Sequence, residues 1–315
     1  MIRLRAWSRE MTIVVFIVMW TNYQAARASE FGVSTYRPGI FDLFAGYLPP
    51  PGTTMVKSYF MFQDASAKAV TVDGMIEAKS HTITYTVTTF AGHITNVPLL
   101  GAHWGFGAIV MARIADQTIR VGRDGGPLVK QTSTVGGLGD TILAPCLLAW
   151  DLGQFHLTGV LAVYAPTGSY DHQRIIDIGT NRWAVEADSG LTWMSEDSDR
   201  EASVLAGYTV NTENTATHYL SGNEFHADFV LAQHLPNGMV LGAAGYALQQ
   251  TTPDSGSGAV LGPFRGRVIA LGPLVGKTVR IWSLPVAFSF KYDVELAAQN
   301  RLSGNELWLT AGFQF

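Results

Sequence analysis

Seven ionisable side chains stand where strand alternation turns them away from an apolar face: Glu186, Asp188, His226, Asp228, Arg265, Arg267 and Glu306. Both charge signs are present. Aimed into one enclosed space, such groups either form a polar constriction that selects or gates a solute or pair across a narrow interior and fill it. His226 and Asp228, two apart on one face, have the residue types of an acid–base pair, with an interior hydrogen bond as the simpler role. No Gly-x-Ser-x-Gly, His-Glu-x-x-His or phosphate-binding glycine loop occurs. The eight histidines are scattered, with His226 and His234 the closest interior pair. No catalytic residue is therefore assigned and no enzyme is expected; a dispersed Ser–His hydrolase is the least favoured alternative. The single Cys146 excludes an intramolecular disulfide framework and a Cys-rich metal site. No motif asks for a metal or a cofactor.

These residues need strands to carry them. Phe155, Leu157, Gly159, Leu161 and Val163 share one parity, with His156, Thr158 and Tyr164 on the other. Phe225, Ala227, Phe229 and Leu231 likewise oppose His226, Asp228 and His234. Trp183, Val185, Ala187 and Leu191 oppose Glu186, Asp188 and Thr192. Trp282, Leu284, Val286, Phe288, Phe290 and Tyr292 oppose Ser283, Ser289 and Lys291. Successive strand side chains point to opposite faces, so one face is greasy and the other wet. Period-2 segments are expected at 54–68, 75–95, 99–113, 140–150, 155–165, 182–196, 202–211, 223–235, 239–251, 262–274, 278–293 and 304–315. That makes twelve, an even number as a closed antiparallel barrel requires, with ten to fourteen acceptable.

Composition agrees. Charged residues make up 15% and apolar residues 47%, where a soluble domain carries about 25% charge. Connections alternate in length: short at 96–98, 151–154, 196–201, 236–238 and 275–277, long at 114–139, 166–181, 212–222, 252–261 and 294–303. Short periplasmic turns and long outer loops are the rhythm of an outer-membrane barrel. The hairpin at Val72-Asp73-Gly74 is short where a long loop is expected. Trp150, Trp183, Trp193 and Trp282 fall near strand ends, where amphipathic rings settle at a membrane interface.

At the amino end, Arg3, Arg5 and Arg9 precede the apolar run Met11 to Trp20, and Ala26-Arg27-Ala28 follows. This is the layout of a cleaved secretory signal over residues 1–28; ten apolar residues fall short of the roughly 20 a spanning helix needs. Cleavage leaves 287 residues and takes the net charge from −4 to −7, because four cations and one anion are lost. An acidic chain argues against nucleic acid as a partner. At the other end the alternating Glu306 to Phe315 ribbon stops on an aromatic residue, similar to the assembly signal of Gram-negative outer-membrane barrels. The expected partners are outer-membrane lipid, the barrel-assembly machinery and a small apolar or aromatic solute.

Residues 29–53 differ. Arg37-Pro38-Gly39-Ile40-Phe41-Asp42-Leu43-Phe44-Ala45-Gly46-Tyr47-Leu48-Pro49-Pro50-Pro51-Gly52 is too irregular for a lipid-facing strand. It is expected to enter the barrel from the periplasmic side as a small plug presenting Phe41, Phe44 and Tyr47, or else to hang as a periplasmic tail. Pro145 and Pro285 fall inside expected strands and should each mark a bulge or bend, because proline cannot donate to a ladder. Such a gap could release an apolar solute sideways.

Gly137-Leu138-Gly139-Asp140, Ala165-Pro166-Thr167-Gly168-Ser169-Tyr170-Asp171, Gly179-Thr180-Asn181-Arg182-Trp183, Asn211-Thr212-Glu213-Asn214, Ser221-Gly222-Asn223-Glu224 and Gly245-Tyr246-Ala247-Leu248-Gln249-Gln250 with Asp254-Ser255-Gly256 form a pattern over most of the chain. It resembles the outer-membrane family named for the meta-cleavage pathway of phenol degradation. Ser169 stands where an acidic residue is more usual. The resemblance implies an outer-membrane transporter for hydrophobic aromatic compounds and brings no site residues with it. The expectation is thus an all-β chain, with a signal (1–28), a periplasmic or plug-like segment (29–53) and a single transmembrane antiparallel barrel (54–315) passing small solutes by diffusion. The alternative is a structural or surface-interaction barrel with a blocked lumen.

Overall fold

The computed structural model describes residues 34–71, 76–123, 126–259 and 262–315. Residues 1–28, where a cleaved signal is expected, and the tip of the first hairpin, Val72-Asp73-Gly74, lie outside the described residues. Among those described the chain is all-β, with thirteen strands: β1 (Thr54–Thr71), β2 (Ile76–Leu99), β3 (Ala102–Arg123), β4 (Leu128–Leu138), β5 (Thr141–Leu152), β6 (Phe155–Ala165), β7 (Ala184–Met194), β8 (Arg200–Asn211), β9 (Glu224–His234), β10 (Met239–Gln250), β11 (Arg267–Ile281), β12 (Leu284–Gln299) and β13 (Ser303–Gln314).

Twelve of them close a ring. Each strand from β5 to β13 pairs with the next, β13 pairs with β1, β1 with β2, β2 with β3, and β3 with β5, all antiparallel. The thirteenth, β4, pairs with the far half of β3, from Ala112 to Gly122, while β5 takes the near half, from His103 to Ile109. β4 and β5 are one line of chain interrupted at Gly139-Asp140, so the count around the barrel stays at twelve. The expected loop at 114–139 is therefore mostly a ladder that prolongs β3 beyond the barrel rim. The strands extend because their composition is β-branched and aromatic, and closure pairs both edges of each strand in the twelve-membered ring.

Burial follows parity. Phe60, Tyr85, Val110, Leu161, Val185, Phe225, Leu231, Phe290 and Leu309 are exposed on the outside, while Thr82, Thr84, Thr86, Thr88, Glu186, His226, Asp228, Lys291, Asp293 and Glu306 are buried inside. An apolar outer band of this extent has no stable place in water and belongs in lipid. Trp183 and Trp282 are exposed at opposite ends of the barrel, as interfacial rings should be.

Several strand boundaries depart from expectation: β2 continues through 96–98 and reverses at Leu100-Gly101, and β12 runs to Gln299, so the long connection expected at 294–303 is only 300–302. The turn expected at Val275-Gly276-Lys277 is absent: β11 runs on in unbroken register to Ile281, and the chain reverses at Trp282-Ser283. Gly276 faces inward, where its missing side chain leaves room for Leu43. Pro145 does sit at a bulge, with one extra residue on β5 against both neighbours between Leu143 and Leu147. Pro285 does not. It pairs in register with Arg280, and the ladder to β13 starts only at Val286, so its missing donor falls at a strand end and costs no ladder bond. No gap for lateral exit is built at Pro285.

Candidate functional site

Residues 34–53 run through the lumen. At the long-loop end, Arg301 in the β12–β13 connection donates to the Ser34 hydroxyl (3.1 Å), and Thr35 donates to Asn211 at the end of β8 (2.6 Å). At the short-turn end, the Gly52 amide donates to the Ile94 carbonyl (2.7 Å), and Tyr47 meets His156 edge-on near the start of β6. Between these points the chain is irregular. It therefore has no ladder of its own, and its polar groups must find partners on the wall.

The wall supplies them. Asp228 on β9 accepts from the Tyr36 hydroxyl (2.9 Å) and from the amides of Gly39 (3.2 Å) and Phe41 (3.0 Å). Lys291 on β12 donates to the carbonyls of the same two residues, Gly39 and Phe41. Asp42 is held by Lys57 of β1 and Ser289 of β12. Arg37 pairs with Glu306 of β13 at 2.9 Å. The Phe44 amide donates to Glu201 and the Gly46 amide to Thr192. The segment also lies flat on the wall at Gly190, where a Cβ would strike the Ala45 carbonyl. Bonds to charged groups contribute about 1.5–3 kcal/mol each, and these come from at least five strands.

The expected lumen residues divide. Glu186, Asp188, His226, Asp228 and Glu306 all face inward; Asp228 and Glu306 hold the segment, and His226 stacks on its Tyr36. Arg265 and Arg267 do not join them. Arg265 is exposed in the loop before β11, and Arg267 shares the outward parity of Ile269 and Leu271, opposite the buried Val268 and Ala270. Arg267 is the first residue of β11, at the rim, where an outward cation meets water rather than lipid, so the inward set begins at Val268. The acid–base pairing of His226 with Asp228 is not formed either: Asp228 is occupied by the segment, while the His226 Nε2 faces Glu186 (3.4 Å) and Asp188 (3.5 Å) on β7. Phe41 packs against the cluster of Tyr36, Leu205 and Tyr246, whereas Phe44 and Tyr47 remain more than one-third exposed at the short-turn end.

Several partners were not singled out by residue type. Tyr36, Asp42, Lys57, Glu201 and Lys291 fasten the segment, and their only signal was inward parity or membership of the irregular stretch. Arg113 on β3 is another. It lines the cavity beside the segment, donates to Thr86 (3.3 Å), and among the described residues has no carboxylate within 4.0 Å.

The segment does not fill the lumen. Its contacts run from β6 round to β1, and a cavity of about 560 Å³ remains beside it, lined on the β2 to β6 wall by Thr82, Thr84, Thr88, Phe90, Ile109, Met111, Arg113, Ile142, Leu147 and Val160 and elsewhere by residues of β1, β7, β12 and β13. Hydroxyl rows and apolar side chains alternate around it.

A closed twelve-stranded cylinder, greasy outside and hydrophilic within, is the architecture of an outer-membrane β-barrel. Residues 63–311 match the model of the family described as "Putative MetA-pathway of phenol degradation", and the chain belongs to that family. Among solved structures it is similar to the COG4313 outer membrane channel from Pseudomonas putida F1, with 15% identity and a TM-score of 0.62 over 87% of this chain and all of that one. The beta domain of the Bordetella autotransporter Brka is a more distant likeness, at 15% identity and a TM-score of 0.42 over 84% of this chain and all of that one. No curated protein matches the chain. Fold, family and greasy outer band together place the protein in the outer membrane.

Proposed function

We propose that this chain is a passive channel for small apolar or aromatic solutes, with residues 34–53 acting as a plug that narrows the lumen to one lane. The observation that carries the reading is the cavity between the segment and the β2–β6 wall. Its volume of about 560 Å³ lies within the range of pockets that take small molecules. Threonine hydroxyls facing apolar side chains give a surface suited to a ring bearing one polar group. Arg113 adds a cation for a solute carboxylate. The description of the family supports phenol-derived compounds as the class. Outer-membrane lipid surrounds the barrel, and the assembly machinery inserts it after the amino-terminal signal is removed.

The fastening of the segment favours a second reading, in which the lumen is closed and the barrel is structural. Liposome swelling with benzoate, phenol and a sugar series separates the two. The channel reading expects swelling with the aromatic solutes faster than in protein-free liposomes; rates equal to the protein-free control for every solute would leave the structural reading.

A further inference from the structure

We propose that Glu186, Asp188 and His226 form a binding site for a divalent transition-metal ion, with zinc as the representative ligand. The inference does not depend on what the barrel conducts. Asp188 on β7, Gly207 on β8 and His226 on β9 occupy one row across three paired strands, and all three positions face the lumen. Strands are about 4.8 Å apart, so residues two strands away meet only if nothing stands between them. Glycine at 207 provides that opening: a Cβ there would lie 2.6 Å from the His226 Cε1 and 2.7 Å from its Nε2, and would overlap the Asp188 Oδ1.

The resulting contacts do not satisfy hydrogen bonding. His226 is fully buried, and among the described residues neither of its ring nitrogens has a hydrogen-bond partner; nor does the Asp188 Oδ1. Nε2 points between the Glu186 Oε2 at 3.4 Å and the Asp188 Oδ1 at 3.5 Å, beyond the usual 2.7–3.2 Å of a hydrogen bond. These separations instead suit an ion coordinated at about 2.0–2.1 Å by each atom, because the edge of such a tetrahedron is about 3.3–3.4 Å.

The donor set and its support agree. One imidazole with two carboxylates suits zinc and its neighbours, whereas calcium takes six to eight oxygens. Glu186 is oriented by the Tyr164 hydroxyl, which donates to its Oε1 (2.9 Å), and by the Thr209 hydroxyl, which donates to Oε2 (2.6 Å), as outer partners of metal ligands do. Glu186 and Asp188 also line the cavity, which gives the ion a route in. Two like charges brought together here are neutralised by the ion.

The test uses the detergent-purified barrel, stripped with chelator and then titrated with zinc by calorimetry and elemental analysis. Cobalt provides a visible spectrum that reports tetrahedral geometry. The proposal expects one equivalent per chain, and at least a tenfold loss of affinity in both Asp188→Asn and His226→Gln. Each variant is first checked for barrel integrity by the mobility difference between unheated and boiled samples, and the asparagine variant serves if the glutamine variant does not fold. Absence of stoichiometric zinc in the folded wild type would overturn the proposal. So would uptake that both folded variants retain in full, since surface histidines would then be the binders.

Discussion

The ring of Tyr36 lies flat on that of His226, with centroids 3.5 Å apart and planes 11° from parallel, and its hydroxyl reaches on to Asp228. One residue of the inner segment thus touches both histidine and carboxylate on β9, and it does so across 190 residues of sequence. The contact links the two parts of the account: the segment closes over the same patch of wall where β7, β8 and β9 gather their charges.

Asp228 is the main anchor of the segment, and Asp228→Asn keeps its shape while replacing one acceptor with a donor aimed at groups that already donate. The expected cost is about 2 kcal/mol. Hydrogen exchange of the peptide covering residues 36–48 should accelerate by roughly tenfold or more, while the barrel strands keep their protection. Unchanged exchange in that peptide would mean that other contacts suffice to hold it.

Gly190→Val tests the docking surface without touching a charge. Any side chain at 190 meets the Ala45 carbonyl and the Thr158 hydroxyl, so the segment must lift from β7. The barrel should still assemble, because valine favours strands. Planar-bilayer recordings should show larger or longer openings than wild type, and identical traces would place the segment elsewhere.

Arg113→Ala removes a cavity cation that has no carboxylate within 4.0 Å among the described residues. Its expected effect is on selectivity: in a potassium chloride gradient the reversal potential should move toward cation preference. Benzoate flux should fall relative to phenol flux. Equal loss for both solutes would indicate a change of pore shape instead.

Gly207→Ala places a Cβ 2.6 Å from the His226 ring and in overlap with the Asp188 Oδ1, which forces the two side chains apart. Overpacking of this kind costs about 1–3 kcal/mol. Thermal unfolding should move down, and zinc retention should fall with it. A variant that folds and binds zinc as wild type does would show that the row is not closed through residue 207.

Alternation carried most of the fold. The parity of Glu186 against Val185, or His226 against Phe225, is visible in the residues because one face meets lipid and the other does not. It fails where that contrast ends. β4 reads Lys130-Gln131-Thr132-Ser133-Thr134, polar on both faces, because this ladder stands beyond the rim in water. At Val275-Gly276-Lys277 the glycine resembles a turn, yet its role is to admit Leu43, a contact that depends on how the inner segment packs. At Arg267, the first residue of β11, polarity does not mark the inward face, because a side chain pointing outward at the rim meets water instead of lipid. The gathering of Glu186, Asp188 and His226 depends on a bare position in the strand between them, and no spacing along the chain displays that. The irregular segment was recognisable as a separate piece from its prolines, glycines and aromatics; its path from one rim to the other was not, since its partners are scattered from Lys57 to Glu306.

The central claim is that residues 34–53 occupy and restrict a continuous lumen. Single-channel conductance of the barrel lacking residues 34–52, compared with the full chain under the same salt and voltage, tests it most directly. The account predicts a stable and clearly larger conductance for the shortened barrel, with the intact protein showing small openings. Equal conductance in the two, with both confirmed as folded, would contradict it.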